Sequence, residues 1–359
     1  MREKIICFCN SSKTWGGGEK WHYDIALRLK DRGYKIIAIT NKDSELYTRL
    51  KEQNIQCFPV KISNFSFLNV FKRIKIKAIL KQAQASTLII NLPADLKLIA
   101  PVAKKAGVLK TIYRRGSAIP IKNKFFNRII FKNYIDEIIA NSQKTKDTIL
   151  EHNLNLFDKS KIKVIYNGIE EKDVVKSTLY SSDEGELVIG NAARFVEQKN
   201  HKFLIDLASK LKQENVKFKI LLAGSGKLEE ETIKYAEQLQ VQDCVKFLGF
   251  ISEIESFMQS IDIYILPSLW EGFGYVMAEA MLQKKPVIAF NLSSNPEIIE
   301  DKQTGYLIGK NNIDEAIDKI KYFANNLDER QRMGEKGRER VLNLFTIDRV
   351  VGDVETLLK

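Results

Sequence analysis

Short apolar runs alternate with amphipathic stretches along nearly the whole chain, and this alternation restricts the fold more than any other feature of the sequence. The first half opens with the apolar run Lys4–Cys9, followed by a glycine-rich loop at Asn10–Gly18 and an amphipathic stretch from Glu19 to about Arg32. Apolar strands separated by helical patterns are typical of parallel sheets with crossover helices. The sequence therefore predicts an α/β fold.

The alternation runs through twice, which indicates two domains of the same kind. It restarts near Glu186, after a polar stretch (Glu170–Glu186) that is the predicted linker. A chain of 359 residues is also long for one domain, since domains commonly have about 100–200 residues. We predict two doubly wound, Rossmann-like domains facing a cleft, at residues 1–170 and 186–341, with a C-terminal helix at 346–359 that packs back on the first domain.

Basic residues are concentrated in the first half of the chain. Residues 1–170 hold 32 Lys and Arg against 14 Asp and Glu, a net charge of +18, whereas the remainder has a net charge of −6. Between Gln53 and Ile135 there are 16 basic residues, and Asp95 is the single acidic one. This asymmetry indicates an anionic partner, either nucleic acid, a phospholipid surface or a phosphorylated substrate, unless the lysines are only solvated on helix faces.

Two segments of the basic region, Phe65–Gln82 and Ile121–Ile135, interleave bulky apolar residues with Lys and Arg at helical spacing. This pattern suits a helix lying on an anionic membrane surface, and also an ordinary helix packing its apolar face inward. We find no secretory leader and no apolar run as long as a membrane span. The four cysteines are too few for a disulfide scaffold. We expect a cytoplasmic protein, peripheral on the inner face of the cell membrane.

Two cations follow the first predicted strand of the second half. Arg194 and Lys199 lie between that strand and the next helix, an edge of the sheet where they could clamp a diphosphate. An exposed Lys at a helix start is also common, so the pair alone is a weak indication. The predicted strands of this half are Leu187–Asn191, Phe218–Ala223, Val245–Leu248, Asp262–Leu266 and Pro286–Ala289.

Glycines precede helices at Gly16–Gly18 and at Gly274. Such positions let the backbone approach a ligand and present free N–H groups to an anion, although a plain loop is the alternative for Gly16–Gly18. Glu271 and Glu279 would stand about 12 Å apart along a helix, too far for a glycosidase pair at about 5–9.5 Å. We interpret them as acceptors for separate hydroxyl groups of one ligand, unless Glu279 is an ordinary surface residue.

Together these segments resemble a GT-B glycosyltransferase of the retaining family 4 type, over nearly the whole chain. Asn191–Lys199 is similar to that family's G-R-x-x-x-x-K element, and Glu271–Glu279 resembles its E-x7-E motif. The other similar segments are Gly16–Gly18, Ala140–Ser142, Val164–Gly168, Ala223–Gly226, Val245–Phe250, Asn295–Glu297 and Gly305–Leu307.

The resemblance implies that a nucleotide diphosphate-sugar binds the second domain and that the acceptor binds the first. Arg194 and Lys199 would neutralise the leaving diphosphate in place of a metal, so no metal or other cofactor is expected, and Glu271 would hold hydroxyls of the donor sugar. Glu279 would hold the ribose. The implied donor-binding residues are Gly16, Gly17, Gly18, Gly224, Phe250, Phe273, Gly274, Tyr275, Val276 and Glu279.

The chain departs from the family at two points. Ser293-Ser294 stands where many relatives have Gly-Gly, and a His that many relatives have near the reacting sugar is missing. Asp95 lies near a strand end and could take that place as a catalytic residue, with a helix N-cap as the alternative; surrounding cations should keep it ionised. Arg114 and Arg115 follow another strand and suit a phosphorylated or carboxylated acceptor, unless they are solvated surface charges.

The leading hypothesis is therefore a sugar transferase that acts on an envelope glycan, a lipid-linked sugar or a lipopolysaccharide acceptor. The basic first domain would bind an anionic membrane surface, and nucleic acid is not the expected partner. A basic nucleic-acid-binding protein, an inactive sugar-nucleotide binder and a nucleotide-sugar epimerase of the same architecture are the alternatives.

Overall fold

The computed structural model describes residues 4–174 and 177–359. Residues 1–3 of the predicted first domain and 175–176 of the predicted linker lie outside the described residues. The chain divides into two compact units, one comprising Met1–Gly168 with Ile347–Lys359 and the other comprising Ile169–Thr346. Each unit contains one parallel sheet with helices, so the predicted α/β class with two doubly wound sheets is confirmed.

The first unit contains a seven-stranded parallel sheet with the order β3-β2-β1-β4-β5-β6-β7. All six residues of its central strand β1 are buried, because helices cover both faces of a parallel sheet and its strands become continuous apolar runs. The elements, in chain order, are β1 (Ile5–Asn10), α1 (Gly17–Asp31), β2 (Lys35–Thr40), α2 (Glu45–Glu52), β3 (Gln56–Pro59), α3 (Val70–Gln82), β4 (Thr87–Ile90), α4 (Pro93–Ala106), β5 (Lys110–Arg115), α5 (Phe125–Tyr134), β6 (Glu137–Ala140), α6 (Gln143–Leu150) and β7 (Ile162–Val164).

The second unit contains a six-stranded parallel sheet with the order β10-β9-β8-β11-β12-β13. Its first strand, β8, is again completely buried. The elements are β8 (Leu187–Ala192), α7 (His201–Gln213), β9 (Phe218–Ala223), α8 (Glu229–Gln238), β10 (Val245–Gly249), α9 (Ile254–Gln259), β11 (Ile263–Leu266), α10 (Tyr275–Leu282), β12 (Val287–Phe290), α11 (Asn295–Ile298), β13 (Gly305–Ile308), α12 (Ile313–Asn325) and α13 (Leu327–Leu344).

The predicted linker Glu170–Glu186 lies in the second unit wherever it is described. Just before it, the Ile169 N–H donates to the Phe345 carbonyl at 2.7 Å. Further along, the Tyr180 N–H donates to Ser260 Oγ at 3.1 Å. These bonds attach the segment to the second unit. Despite its polar composition, it is therefore not an unattached linker between the two units.

The last helix, α14 (Ile347–Leu358), belongs to the first unit. Its apolar face, including Val351 and Val354, is buried in the same cluster as Trp21 of α1. At its end, Lys4 Nζ donates to the Leu358 carbonyl at 2.7 Å. The core of the first unit is thus assembled from both ends of the chain.

Candidate functional site

The candidate site of the second unit lies where its strand order reverses, between β8 and β11. From β8 the chain continues outward through β9 and β10 on one side, and β11 begins the run on the other side. Ligands of open α/β sheets bind at the carboxyl ends of the strands at such a point. The loops after both strands are joined there, since the Leu269 N–H donates to the Gln198 carbonyl at 2.8 Å and Gln198 Nε2 donates to the Trp270 carbonyl at 2.7 Å.

Lys199 and Glu271, which come from these two loops, form a nearly buried ion pair. Lys199 Nζ donates to Glu271 Oε1, and only 14% and 7% of the two side chains are exposed. The sequence predicts separate roles for the two residues, and the structure places them in direct contact. A charge removed from this pair leaves its partner uncompensated in a poorly solvated place.

Ser293 holds the backbone of Glu271 in position. Its hydroxyl accepts from the Glu271 N–H at 3.1 Å and donates to the Glu271 carbonyl at 2.7 Å. Ser293 also has a φ of +57°, in the left-handed region that glycine adopts without strain. This conformation gives a physical reason for a glycine at position 293 in many relatives but not at 294, where φ is −89°. The serine of this chain adds two hydrogen bonds to the backbone of Glu271.

Arg194 lies directly beyond β8 and is exposed. Within residues 4–174 and 177–359 it forms no ion pair, unlike Lys199. The backbone beside it is fixed by Gly224, whose φ is +129° and where an added Cβ would lie 2.1 Å from the Ala193 carbonyl oxygen. The glycine is therefore required by the close approach of two loops, which presents the Arg194 guanidinium to solvent at the end of the strand.

Helix α10 begins at the same edge of the sheet. Gly274 precedes it with a φ of +81°, and Glu279 lies one turn inside it. Burial raises the pKa of Tyr264 on β11, and the Glu271 and Glu279 carboxylates add to this rise. Both carboxylates therefore act on the Tyr264 hydroxyl, which donates to the Ala192 carbonyl at 3.2 Å.

The other predicted donor residues of this unit differ in exposure. Phe250 follows β10 and is 79% exposed, so its ring is open to a planar ligand. Phe273 is buried, with its ring 5.4 Å from that of Phe345, so its side chain serves packing. Tyr275 and Val276, in the first turn of α10, are partly exposed. Donor binding by these residues stays a prediction.

The glycine loop of the first unit is shaped by two side chains. An added Cβ at Gly18 would lie 2.6 Å from Asn91 Nδ2 and 3.5 Å from the Arg114 guanidinium. Gly16 lies directly before α1, and Gly17 is the first residue of that helix. The close approach of these side chains explains why residue 18 is a glycine. Closure of the loop over a donor stays a prediction.

Arg114 is buried, so the alternative that it is a solvated surface charge is wrong. It is 2% exposed and donates to Asn91 Oδ1 at 3.0 Å and to Asn167 Oδ1 at 2.9 Å. Residues of β5 alternate between the two faces of the sheet, so Arg114 points into the unit while Arg115 is partly exposed. Arg115 is the more exposed of the two, and acceptor binding by either arginine stays a prediction.

Asp95 is completely buried in the first turn of α4. It accepts hydrogen bonds from the Ser11 N–H at 2.9 Å and from the Ser11 hydroxyl. The N-cap of the helix is Leu92, so the N-cap interpretation of Asp95 is wrong. Burial raises the pKa of Asp95 to about 6 although the Ser11 bonds oppose it, so surrounding cations do not hold its pKa low as expected, and Asp95 is ionised mainly above about pH 6. Asp95 ties the loop after β1 to α4, and a catalytic role stays a prediction.

The raised pKa of Asp95 has a measurable consequence for stability. Between its ordinary value of 3.8 and about 6, the folded protein retains a proton that the unfolded chain has released. The contribution to the unfolding free energy is complete at low pH and is lost as the pH rises through about 6, by up to about 3 kcal/mol. Asp95→Asn removes this titration. In urea unfolding, the free energy of unfolding of the variant minus that of wild type should therefore increase between about pH 4 and pH 6. If this difference in unfolding free energy does not change with pH, the folded protein does not retain the proton on Asp95.

Several of these residues were not predicted from the sequence. Ser11, Asn91 and Asn167 act only as partners of Asp95 and Arg114, and no short motif marks such long-range hydrogen bonds. Ser293 was noted only as a departure from the family. Across the described ranges, no three His, Cys, Asp or Glu side chains are grouped so as to hold a metal ion.

Two family models match the chain in tandem. The model described as Glycosyltransferase Family 4 matches residues 15–173, and the model described as Glycosyl transferases group 1 matches residues 178–340. A poly(ribitol-phosphate) α-N-acetylglucosaminyltransferase of Staphylococcus aureus is 27% identical over 62% of this chain and 45% of its own length. An uncharacterized glycosyltransferase of Methanocaldococcus jannaschii is 34% identical over 62% of this chain and 60% of its own length. The chain thus spans about half the length of these relatives.

Solved structures agree with the fold over almost the whole chain. A glycosyltransferase from Rickettsia africae has a TM-score of 0.88 at 24% identity, covering 99% of this chain and 98% of the other. Anabaena HepE in complex with UDP has a TM-score of 0.84 at 20% identity, covering 99% of both chains, and it has also been solved with UDP-glucose. With the two family models, these likenesses show that the chain belongs to the GT-B glycosyltransferases of the family 4 type.

Proposed function

We propose that the protein transfers a sugar from a nucleotide diphosphate-sugar to an envelope glycan, a lipid-linked sugar or a lipopolysaccharide acceptor. The proposal rests mainly on the exposed Arg194 and the Lys199–Glu271 pair, which lie in the loops after β8 and β11, where the strand order of the second sheet reverses. It is supported by the UDP-glucose complex of HepE and by the envelope polymer in the name of the Staphylococcus aureus relative.

The proposed chemistry follows from the charges at this point. Breaking the anomeric bond builds negative charge on the leaving diphosphate, and fixed cations aimed at that charge lower the barrier. Arg194, which forms no ion pair among the described residues, would bind the diphosphate, and Lys199 would bind it while remaining paired with Glu271. Glu271 would accept hydrogen bonds from the donor sugar, and Glu279 from the ribose. We propose that the acceptor attacks the face that the diphosphate leaves, with a phosphate oxygen as its base, so configuration is retained.

Donor binding in EDTA tests the proposal. One of the UDP-, GDP- or ADP-sugars should raise the unfolding temperature by several degrees, because a ligand at about 100 times its Kd adds about 2.7 kcal/mol. The Arg194→Ala/Lys199→Ala variant should lose this shift. Lys212→Ala/Lys217→Ala, which removes two exposed cations of the same unit, should keep it. A shift that appears only with an added divalent cation would contradict metal-independent binding.

We further propose that the first unit binds the anionic surface of a membrane. Large apolar side chains, from 59% to 83% exposed, lie at Phe65, Leu68, Val70, Phe71, Ile74 and Phe125. The rings of Phe67 and Phe126 lie 5.0 Å apart and join the segments Phe65–Gln82 and Ile121–Ile135. We call the exposed apolar residues of these two segments the basic apolar face. Its neighbours in sequence include Lys72, Arg73 and Lys124, and bulky apolar residues among cations suit the interface of an anionic bilayer. None of the described helices has the length and apolar character needed to cross a membrane.

Co-sedimentation with vesicles tests this surface. Binding should require anionic lipid and weaken with salt, since the attraction is screened. Phe71→Ser/Phe125→Ser should weaken binding by at least about tenfold, because each buried Phe contributes about 1.5–3 kcal/mol. The matched control is Leu109→Ser/Leu154→Ser, which removes two equally exposed apolar side chains of the same unit, 83% and 80% exposed. Equal binding to neutral and anionic vesicles would contradict the proposal.

A further inference from the structure

A cavity of about 280 Å³ opens in the first unit at the carboxyl ends of β4 and β5. The first turn of α4 and the segment from Pro120 to Phe131 form its walls. The site of the second unit does not include it, but Arg115 and residues of the segment Ile121–Ile135, both noted in the sequence, line it. Pockets for whole drug-sized ligands have roughly 300–1,000 Å³, so this one holds a head group with a short adjoining segment rather than an entire glycan.

The polar lining of the cavity is entirely suited to an anion. Four cations line it, Lys97, Arg115, Lys122 and Lys124, and its lining contains no acidic residue. The one acid nearby in sequence, Asp95, is buried and bonded to Ser11. The amino end of α4, which carries the positive end of the helix dipole, faces the same space.

Arg115 gives a more specific indication. Its guanidinium is oriented by a hydrogen bond from one terminal nitrogen to the Ile119 carbonyl at 2.6 Å. Its Nε is buried and has no hydrogen-bond partner in the part of the chain that the structure describes. A buried donor left without a partner is costly, so Arg115, which lines the cavity, retains unsatisfied hydrogen-bonding capacity for an anion. The three lysines form no ion pair within the described ranges, so their charges are available as well.

Apart from Asn127 and the hydroxyl-bearing Tyr113, the remaining lining of the cavity is apolar. Leu96, Ile130 and Phe131 are each no more than 3% exposed overall and present side chains to this space. Such walls stabilise an apolar group, not a hydrated sugar chain. The neighbouring Phe125 is 71% exposed and continues the apolar surface outward into the basic apolar face. A ligand that satisfies both parts of the cavity therefore carries an anionic group joined to an apolar chain.

We propose that this cavity binds the phosphate end of an amphiphilic phosphate, with Arg115 and the lysines on the phosphate and the chain leaving along Phe125. The inference rests on the proposed function in one respect, because it selects lipid-linked phosphates from the proposed acceptors. Membrane phospholipids carry the same chemistry as a second source. The binding itself requires no donor.

Binding of decyl phosphate to the full chain, below its micelle concentration and without donor, tests the cavity by calorimetry. Lys97→Gln/Lys122→Gln/Lys124→Gln should raise the Kd at least about tenfold, since charge-assisted contacts are lost. The matched control is Lys159→Gln/Lys161→Gln/Lys163→Gln, which removes three exposed lysines of the same unit and should leave the Kd within about twofold. Decyl maltoside, with the same chain and a neutral head, should bind at least about tenfold more weakly.

Three outcomes would overturn the site: equal losses in both triple variants, equal affinity for the maltoside, or binding of inorganic phosphate as tight as that of decyl phosphate. Comparison with short-chain phosphatidylglycerol then separates the two sources. A lipid-linked sugar also carries its phosphate esterified on both sides, so the second probe is decyl glucosyl phosphate. Tighter binding of this probe than of phosphatidylglycerol indicates a lipid-linked acceptor, and weaker binding indicates a membrane phospholipid. Because no donor is present, failure here leaves donor binding by Arg194 and Lys199 intact, and failure of the EDTA experiment leaves this cavity intact.

Discussion

Lys199→Met should lower kcat/KM for sugar transfer by about 10³-fold and the free energy of unfolding by about 3–5 kcal/mol. The two losses have different causes. The first arises because a cation no longer meets the charge that develops on the diphosphate. The second arises because Glu271, whose side chain is 7% exposed, loses its ionic partner. Urea unfolding and a transfer assay with the donor identified in EDTA measure the two effects separately.

The variant Lys199→Met/Glu271→Gln separates stability from chemistry. It replaces the buried pair with neutral groups, so most of the stability should return while transfer stays low. Lys212→Met, which breaks an exposed ion pair with Asp243, should change the unfolding free energy by less than about 1 kcal/mol and leave transfer unchanged. Recovery of transfer together with stability in the double variant would mean that Lys199 acts only by maintaining the fold.

Arg194→Ala should lower kcat/KM by about 10²–10³-fold with no measurable change in unfolding temperature. Arg194 is exposed and forms no ion pair in the described part of the chain, so its removal breaks no contact that maintains the unit. The control is Lys217→Ala, an exposed cation directly before β9 and hence at the opposite edge of the same sheet. A loss of stability as large as that of Lys199→Met, or equal activity of both alanine variants, would contradict the prediction.

Much of the fold could be predicted because strands of parallel sheets are continuous apolar runs. The predicted strand Phe218–Ala223 agrees with β9 to the residue, and Leu187–Asn191 differs from β8 by one residue. The strand β13 was missed because its four residues follow a polar turn. Residue 305 in β13 must be a glycine, because an added Cβ would lie 2.0 Å from the Val287 carbonyl oxygen. This constraint is visible only in three dimensions.

The candidate site was predictable only in part. Residues that follow strand ends, such as Arg194 and Lys199, lie at one edge of the sheet as predicted from order along the chain. Lys199 and Glu271 are far apart in sequence, and their ion pair forms only because the two loops meet in the fold. The spacing of residues within either loop therefore could not predict this pair. Burial of Arg114 and Asp95 depends on partners from other loops. Residue type alone suggested an ionised Asp95 and, as one alternative, solvated arginines.

The return of α14 to the first unit determines the order in which the protein can mature during synthesis. The second unit is continuous in sequence, and it interrupts the first. All seven strands of the first unit are synthesised before the helix whose Val350, Val354 and Leu357 complete its core. The amino-terminal unit therefore keeps part of its apolar surface uncovered until α14 has been synthesised, whereas the second unit can fold as soon as it emerges.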